Sequence, residues 1–420
     1  MKTSLTHPTN TAARFLGALL IAVSPLFTAC KTKTVDPPAP VRSLTSAEAR
    51  IVDNANAFAF RIFSRVSQAE ESKNVFISPL SIATALTMAY NGTNTSTREA
   101  FRKTLDFGVL SDEEINQSYQ SLSRLLVEID PGVQFRAANS LWHNQRLDLQ
   151  KPFELASQTY FDATTRGLNF ADPNAKNVIN EWVAKKTNGK IKDLVDNVTP
   201  EHLLFLINAL YFKGTWTYAF DKTKTADGSF ALEAGGAATA KFMVLEKVTF
   251  RRYQDATKQL VELPYGNQQF SMVFIVPTGR QQVADLVGEL SSTNLDQWLN
   301  QANSTELDLY VPKFTFSYGK KLNDILSQMG LAEAFGSNAD LSRMIEGFGQ
   351  GDAKIDEVMH KAFVEVNEEG TTAAAATSVG VVPVSLPPSI RLDRPFVFLI
   401  REKATNTLLF AGKLMNPTVR

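Results

Sequence analysis

Apolar residues recur at helical spacing from Ile51 onward: Ile51, Ala55, Phe58, Ile62 and Val66 fall on one face and predict an amphipathic helix. Ser78-Pro79-Leu80 opens a second, more uniformly apolar helix that Asn91-Gly92 stops. Ser96 and Glu99 have the spacing of a capping box and predict the start of a third. Helical spacing returns over 112–129, 152–160, 173–187, 281–300 and 318–329. Strand-like runs over 135–142, 203–212, 239–250, 269–276, 358–366, 395–400 and 408–414 lie between and after them. Residues 306–316 alternate, with Leu307, Leu309, Val311 and (shifted by Pro312) Phe314 against Asp308, Tyr310 and Lys313. No repeat appears and no linker divides the body, so the pattern predicts one large α+β domain over 46–420.

One internal stretch breaks this texture. Residues 368–380, Glu-Glu-Gly-Thr-Thr-Ala-Ala-Ala-Ala-Thr-Ser-Val-Gly, cannot build a core. Val381-Val382-Pro383-Val384-Ser385-Leu386-Pro387-Pro388 follows, and then convincing strands. An irregular segment of this length inside a compact domain is uncommon and usually functional.

Composition narrows the classes. The 420 residues are 44% hydrophobic, enough for a large core, and 43 basic residues balance 43 acidic ones. A zero net charge gives no reason to expect a nucleic-acid partner. The single cysteine, Cys30, rules out an internal disulfide. It closes a leader with Lys2 and Arg14 near the start and an apolar run over 15–23, too short to span a bilayer, so residues 1–29 read as a signal peptide. Small residues before a lone Cys resemble the lipobox of bacterial lipoproteins, although Phe27 departs from the usual Leu. Export and a lipid on Cys30 are expected, with a plain signal peptide and an incidental cysteine as the alternative. Residues 30–45, with Pro37, Pro38 and Pro40, read as an extended tether.

Enzyme chemistry finds no foothold. The four histidines are His7, His143, His202 and His360, and no HExxH, GxSxG, Walker loop or spaced Cys/His cluster occurs. Gly347-Phe348-Gly349-Gln350-Gly351 lacks the last glycine of a dinucleotide fingerprint. No cofactor and no metal are predicted.

Four separated motifs carry a family resemblance. Val366-Asn367-Glu368-Glu369-Gly370-Thr371 with Ala373, Ala374, Ala375 and Ala376 resembles the serpin hinge. The stretch from Arg394-Pro395-Phe396 through Gly412-Lys413-Leu414-Met415-Asn416-Pro417 resembles the serpin C-terminus. Asn74-Val75-Phe76-Ile77-Ser78-Pro79-Leu80 and Asn208-Ala209-Leu210-Tyr211-Phe212-Lys213-Gly214-Thr215-Trp216 resemble two further serpin motifs in the expected order. The resemblance implies a serpin fold of three β-sheets with eight or nine helices, sheet A dominant, and an exposed reactive-centre loop over about 368–390. It also implies a suicide inhibitor, not an enzyme: the loop is cleaved by the target and inserts into sheet A as a new strand.

The loop residues suit that task. Residues 369–382 contain no proline, and Thr371, Ala373, Ala375, Thr377, Val379 and Val381 would share one face of a strand. Family spacing from Gly370 puts the cleaved bond at Val384–Ser385. A short branched Val suits a small apolar pocket, as in elastase-like serine endopeptidases, and no basic residue between Glu369 and Arg391 invites a trypsin-like one. Papain-like cysteine proteases with apolar subsites are a second target class. The resemblance further places Ser78, Ser81, Asn208 and His360 in a hydrogen-bonding cluster under sheet A, the shutter. Lys313 and Glu368, with Trp216 beside them, match an ion pair at the top of the sheet, the breach. Arg124 is the one basic residue over 112–129, which argues against heparin-type activation. A monomer is expected, touching a membrane through its lipid only. The rival reading is a non-inhibitory serpin acting as a binding or chaperone-like surface protein.

Overall fold

The computed structural model describes residues 41–370 and 388–419. Its helices are α1 (Ser46–Ala69), α2 (Pro79–Asn91), α3 (Thr95–Thr104), α4 (Asp112–Glu128), α5 (Lys151–Phe161), α6 (Ala175–Lys186), α7 (Val283–Glu289), α8 (Ser292–Gln301) and α9 (Asn323–Leu326). The strands of the first half are β1 (Val75–Ile77), β2 (Val133–Asn144), β3 (Thr164–Leu168), β4 (Leu204–Gly214), β5 (Ala226–Ala231), β6 (Ala237–Gln254) and β7 (Lys258–Pro264). Those of the second are β8 (Phe270–Pro277), β9 (Asn303–Pro312), β10 (Phe314–Lys321), β11 (Glu357–Val366), β12 (Ser389–Arg391), β13 (Phe396–Glu402) and β14 (Leu408–Leu414).

Two hydrogen-bonded sheets result. One has five strands in the order β10-β11-β4-β2-β3. The other runs β1-β14-β13-β8-β7-β6-β9-β12, with β5 also on β6. The three sheets implied by the resemblance appear as two connected ladders because β6 is long enough to serve two regions. A bulge between Leu245 and Val248, with Lys247 at φ 54°, bends β6 midway. One half pairs β5, the other pairs β7, and β9 follows both.

The five-stranded sheet is covered on both faces, which is why β4 is almost continuously apolar from Leu204 to Leu210. On one face lies α2, buried on every side from Pro79 to Tyr90, with Ser81, Thr84 and Thr87 among its apolar residues. On the other, α6 and the irregular segment after it pack Ile179, Val183, Ile191, Leu194 and Val195 on Trp142, Phe205 and Ile207. Strand β11 alternates strictly, with Val358, His360, Ala362, Val364 and Val366 buried.

Several expectations need correction. The helix expected to be capped by Ser96 begins at Thr95, because the Asp340 loop fixes its entry: Asn94 N–H donates to the Asp340 carbonyl at 3.0 Å and Thr95 Oγ1 to its carboxylate at 2.8 Å. Ser96 donates instead to Glu333. The helix expected over 281–300 is two, since Ser291 caps a new start at α8. The helix expected over 318–329 begins only at Asn323, because Phe314, Phe316 and Tyr318 alternate inward as β10. The run 306–316 is likewise two strands, β9 and β10, in different sheets. Among the described residues no helix is long and apolar enough to cross a membrane.

Candidate functional site

The centre of the five-stranded sheet is a seam. β11 and β4 lie side by side and parallel, with Glu357 opposite Phe205 and Phe363 opposite Tyr211. Their flanks, β10 and β2, run antiparallel to them. The register aligns three polar residues across the seam: His360 faces Asn208, and Asn208 faces Asn139 of β2. The row meets the start of α2, where Ser78 caps the helix by accepting from Ser81 N–H at 3.4 Å.

Bond directions in this cluster are fixed. Ser78 N–H can only donate, so His360 Nε2, 3.1 Å away, accepts. The proton therefore sits on Nδ1, which donates to Asn208 Oδ1 at 2.8 Å. That orients the Asn208 amide, whose Nδ2 donates to Asn139 Oδ1 at 2.7 Å, to the Ser81 carbonyl at 3.2 Å and to the Ser81 hydroxyl. Ser78 Oγ donates to the Leu409 carbonyl of β14 at 2.7 Å. All five residues are buried. Burial pushes the His360 imidazole down to about 3, so it is neutral. The structure thus brings Ser78, Ser81, Asn208 and His360 together and adds Asn139, which the motif did not include. Nothing local in the sequence singles it out, since β2 also carries Gln134, Arg136, His143 and Asn144.

A second group closes the top of the seam, where β11 ends. Lys313 donates to both Glu368 oxygens, at 3.0 and 2.7 Å, and Thr225 Oγ1 donates to the same carboxylate at 2.8 Å. Burial opposes ionisation of Glu368, but these partners overcome it and hold its pKa below the usual carboxylate value. Trp216 Nε1 donates to the Asn367 carbonyl at 2.9 Å, and its ring stacks on Tyr265 at 4.2 Å. Lys222 pairs with Glu369, and Phe220 N–H donates to the Glu368 carbonyl at 3.1 Å. Sequence reasoning missed Lys222, Thr225 and Tyr265, which come from distant turns and a strand end. A polar cavity of about 620 Å³ opens beside the ion pair. At Gly370, φ is 77° and a Cβ would stand 2.4 Å from the Gly214 carbonyl and Trp216 nitrogen, so glycine alone fits.

Ser389 and Ile390, expected in the loop, belong to β12, which pairs parallel with β9. Arg391 lies between the rings of Phe242 and Tyr310, 4.8 and 4.7 Å from their centroids. The segment between is therefore anchored in one sheet before it and in the other after it. Thr371, Ala373, Ala374, Ala375, Ala376, Val384 and Ser385 lie outside the described residues, as does Cys30.

A sequence family described as Serpin (serine protease inhibitor) matches residues 53–417. The chain is a serpin. It is 34% identical to the leukocyte elastase inhibitor of Xenopus laevis over 86% of this chain and 97% of that one. It is 33% identical to the corticosteroid-binding globulin of Saimiri sciureus over 89% of this chain and 92% of that one. Among solved structures, human thyroxine-binding globulin superposes with a TM-score of 0.82 at 29% identity, covering 89% of this chain and 100% of that one. The thermophilic serpin tengpin, in its native state, gives 0.80 at 27% identity, covering 90% and 96%. Serpin relatives thus include an elastase inhibitor as well as corticosteroid-binding and thyroxine-binding globulins, and serpins in general are protease inhibitors, not enzymes.

Proposed function

We propose that this serpin inhibits serine endopeptidases of elastase-like specificity by the suicide route, with Val384–Ser385 as the bait bond. The observation that carries the reading is the parallel pairing of β11 with β4 at the centre of the sheet. A chain leaving β11 at Gly370 and turning back would run antiparallel to both β11 and β4. Inserting it replaces one parallel pairing with two antiparallel ones, which are slightly more stable per residue. Serpin loop insertion is an established instance of such strand addition. The small, proline-free residues 371–382 lose little rotamer entropy on burial. In the reaction the protease's serine oxygen attacks the Val384 carbonyl, the Ser385 amine leaves with a proton, and the ester is stranded as the strand enters. Papain-like enzymes would form the thioester equivalent.

The shutter role of Ser78, Ser81, Asn208 and His360 and the breach role of Trp216, Lys313 and Glu368 belong to the same proposal. Their bonds join strands that must part. Export by residues 1–29 and a lipid on Cys30 complete it, on sequence grounds, with residues 46–420 as one serpin domain acting as a monomer.

Incubation with pancreatic elastase tests the reading. An SDS-resistant complex and a released fragment starting at Ser385 are expected; cleavage without a complex would refute inhibition. The second reading, a non-inhibitory binding protein, is favoured by the similarity to corticosteroid-binding globulin. It predicts that cleavage leaves the melting temperature unchanged, since no strand is gained.

A further inference from the structure

The polar row under the seam ends on a cavity. It measures about 470 Å³, lies between α2, α4, α5 and β2, and falls in the size range of small-molecule sites. It shares no lining residue with the hinge cavity. Its inner wall is buried and largely apolar, with Leu80 on α2, Phe135 on β2 and Phe161 at the end of α5. The exposed rim carries charges of both signs, Arg124 with Glu128 and Asp162, so a neutral occupant meets the least opposition.

Two members of the polar row meet this cavity with hydrogens to spare. Asn139 Oδ1 is taken by Asn208, but among the described residues Asn139 Nδ2 has no acceptor. Asn139 is only 3% exposed, yet its Nδ2 is not sealed off, so the amide meets solvent through the cavity it lines. Ser81, 1% exposed, accepts from Asn208 at its hydroxyl oxygen, and among the described residues its hydroxyl proton has no acceptor either. Both side chains bond the same Asn208 nitrogen, which sets them side by side. Other polar groups of the wall are committed: Thr84 Oγ1 donates to the Leu80 carbonyl at 2.8 Å, and Gln120 to that of Thr159. Leaving buried donors without an acceptor is costly, and an oxygen with two lone pairs can accept two such bonds.

We propose that this cavity binds a neutral aromatic or alicyclic carbonyl compound. Its oxygen accepts from Asn139 Nδ2 and the Ser81 hydroxyl, and its rings lie on Leu80, Phe135 and Phe161. Apolar walls with a few placed donors are the usual make-up of such a site. The two donors come from β2 and α2, so the site exists only in the folded arrangement, and an occupant raises the melting temperature as its concentration rises. The site is independent of whether the protein inhibits a protease.

Benzophenone and diphenylmethane, alike except for the carbonyl, serve as probes in equilibrium dialysis against the full chain. The ketone should bind about tenfold more tightly. Plain attachment to an apolar surface gives the opposite order, because taking a carbonyl out of water is costly. Asn139→Leu removes the donor at similar volume and should abolish the preference for the ketone. Ser123→Trp, which narrows the mouth from the exposed rim without touching the polar row, should weaken both probes. Under ultraviolet light bound benzophenone couples to a neighbouring C–H carbon, and mass spectrometry should place the adduct within 80–84, 120–139 or 158–162. Circular dichroism checks that the variants fold; if Asn139→Leu does not, Ser123→Trp and the adduct map decide. The proposal falls if neither probe binds, if diphenylmethane binds as tightly as benzophenone, or if Asn139→Leu keeps the preference. It falls equally if Ser123→Trp changes nothing or the adducts lie elsewhere.

Discussion

Acid should loosen the seam through one residue. His360 is buried, donates from Nδ1 to Asn208 and accepts at Nε2 from Ser78 N–H. Protonating Nε2 would set one donor against another and place a charge in a dry core, and burial alone holds the group down to about 3 against an ordinary 6.5. The sign follows from proton uptake. Below about 6.5 the unfolded chain binds a proton at this imidazole and the folded chain does not, so stability is full above that pH and is lost as pH falls toward 3. Between pH 7 and pH 5 the loss from this residue is about 2 kcal/mol. Urea midpoints of wild type and His360→Gln at both pH values measure it. The variant starts less stable, because Ser78 and Asn208 lose a partner, by about 1–3 kcal/mol. On acidification it should then lose about 2 kcal/mol less than the wild type. His143, also lowered by burial, is present in both proteins and cancels in the comparison. Equal acid losses in the two proteins would refute the assignment.

The remaining predictions concern the hinge, the bait and the anchor. Gly370→Ala forces a Cβ to within 2.4 Å of the Gly214 carbonyl at φ 77°, so it should destabilise the intact protein by about 1–3 kcal/mol, read as a lower urea midpoint. Val384→Arg should abolish elastase inhibition and create trypsin inhibition, with mass spectrometry finding a fragment of residues 385–420. Thr371→Arg should turn the inhibitor into a substrate, cleaved at the same bond without a stable complex on a gel, because an unpaired charge would have to enter the sheet. Cys30→Ser should leave inhibition intact and move the protein from membranes to a soluble fraction, since two or three acyl chains hold a protein firmly and none does not.

Much of this was legible because local pattern and final environment agree. The strand-like run of β11 and the helical spacing of α1 each reflect one buried face, so local pattern identified them. Reading failed where a distant contact set a boundary. The start of α3 depends on Asp340, far along the chain, and no local rule reveals it. Tyr318, Leu322, Ile325 and Met329 suit a helix as well as a strand followed by a helix, and pairing with β11 decides for the strand. In the site, motif residues such as Asn208 and His360 were found, while Asn139 and Thr225 were missed. The last two enter through strand register and a turn, which only the assembled sheet specifies.

On the proposed reading, barrier and driving force reside in different residues. Parting β4 from β11 would unpair His360 from Asn208 in a dry core, and the Lys313–Glu368 pair would have to release at the top. A row of fixed-direction hydrogen bonds fails all at once, unlike apolar packing, which can slip. That suits a protein whose active form must persist kinetically although a more stable arrangement exists. The gain on insertion comes instead from residues 371–382 and the two new ladders they would form. Changes in the polar row should therefore alter how fast insertion begins, and changes in the loop should alter whether it is worth completing. His360→Gln and Thr371→Arg separate the two: the first shifts the lifetime of the intact form, the second the fate of the acyl-enzyme.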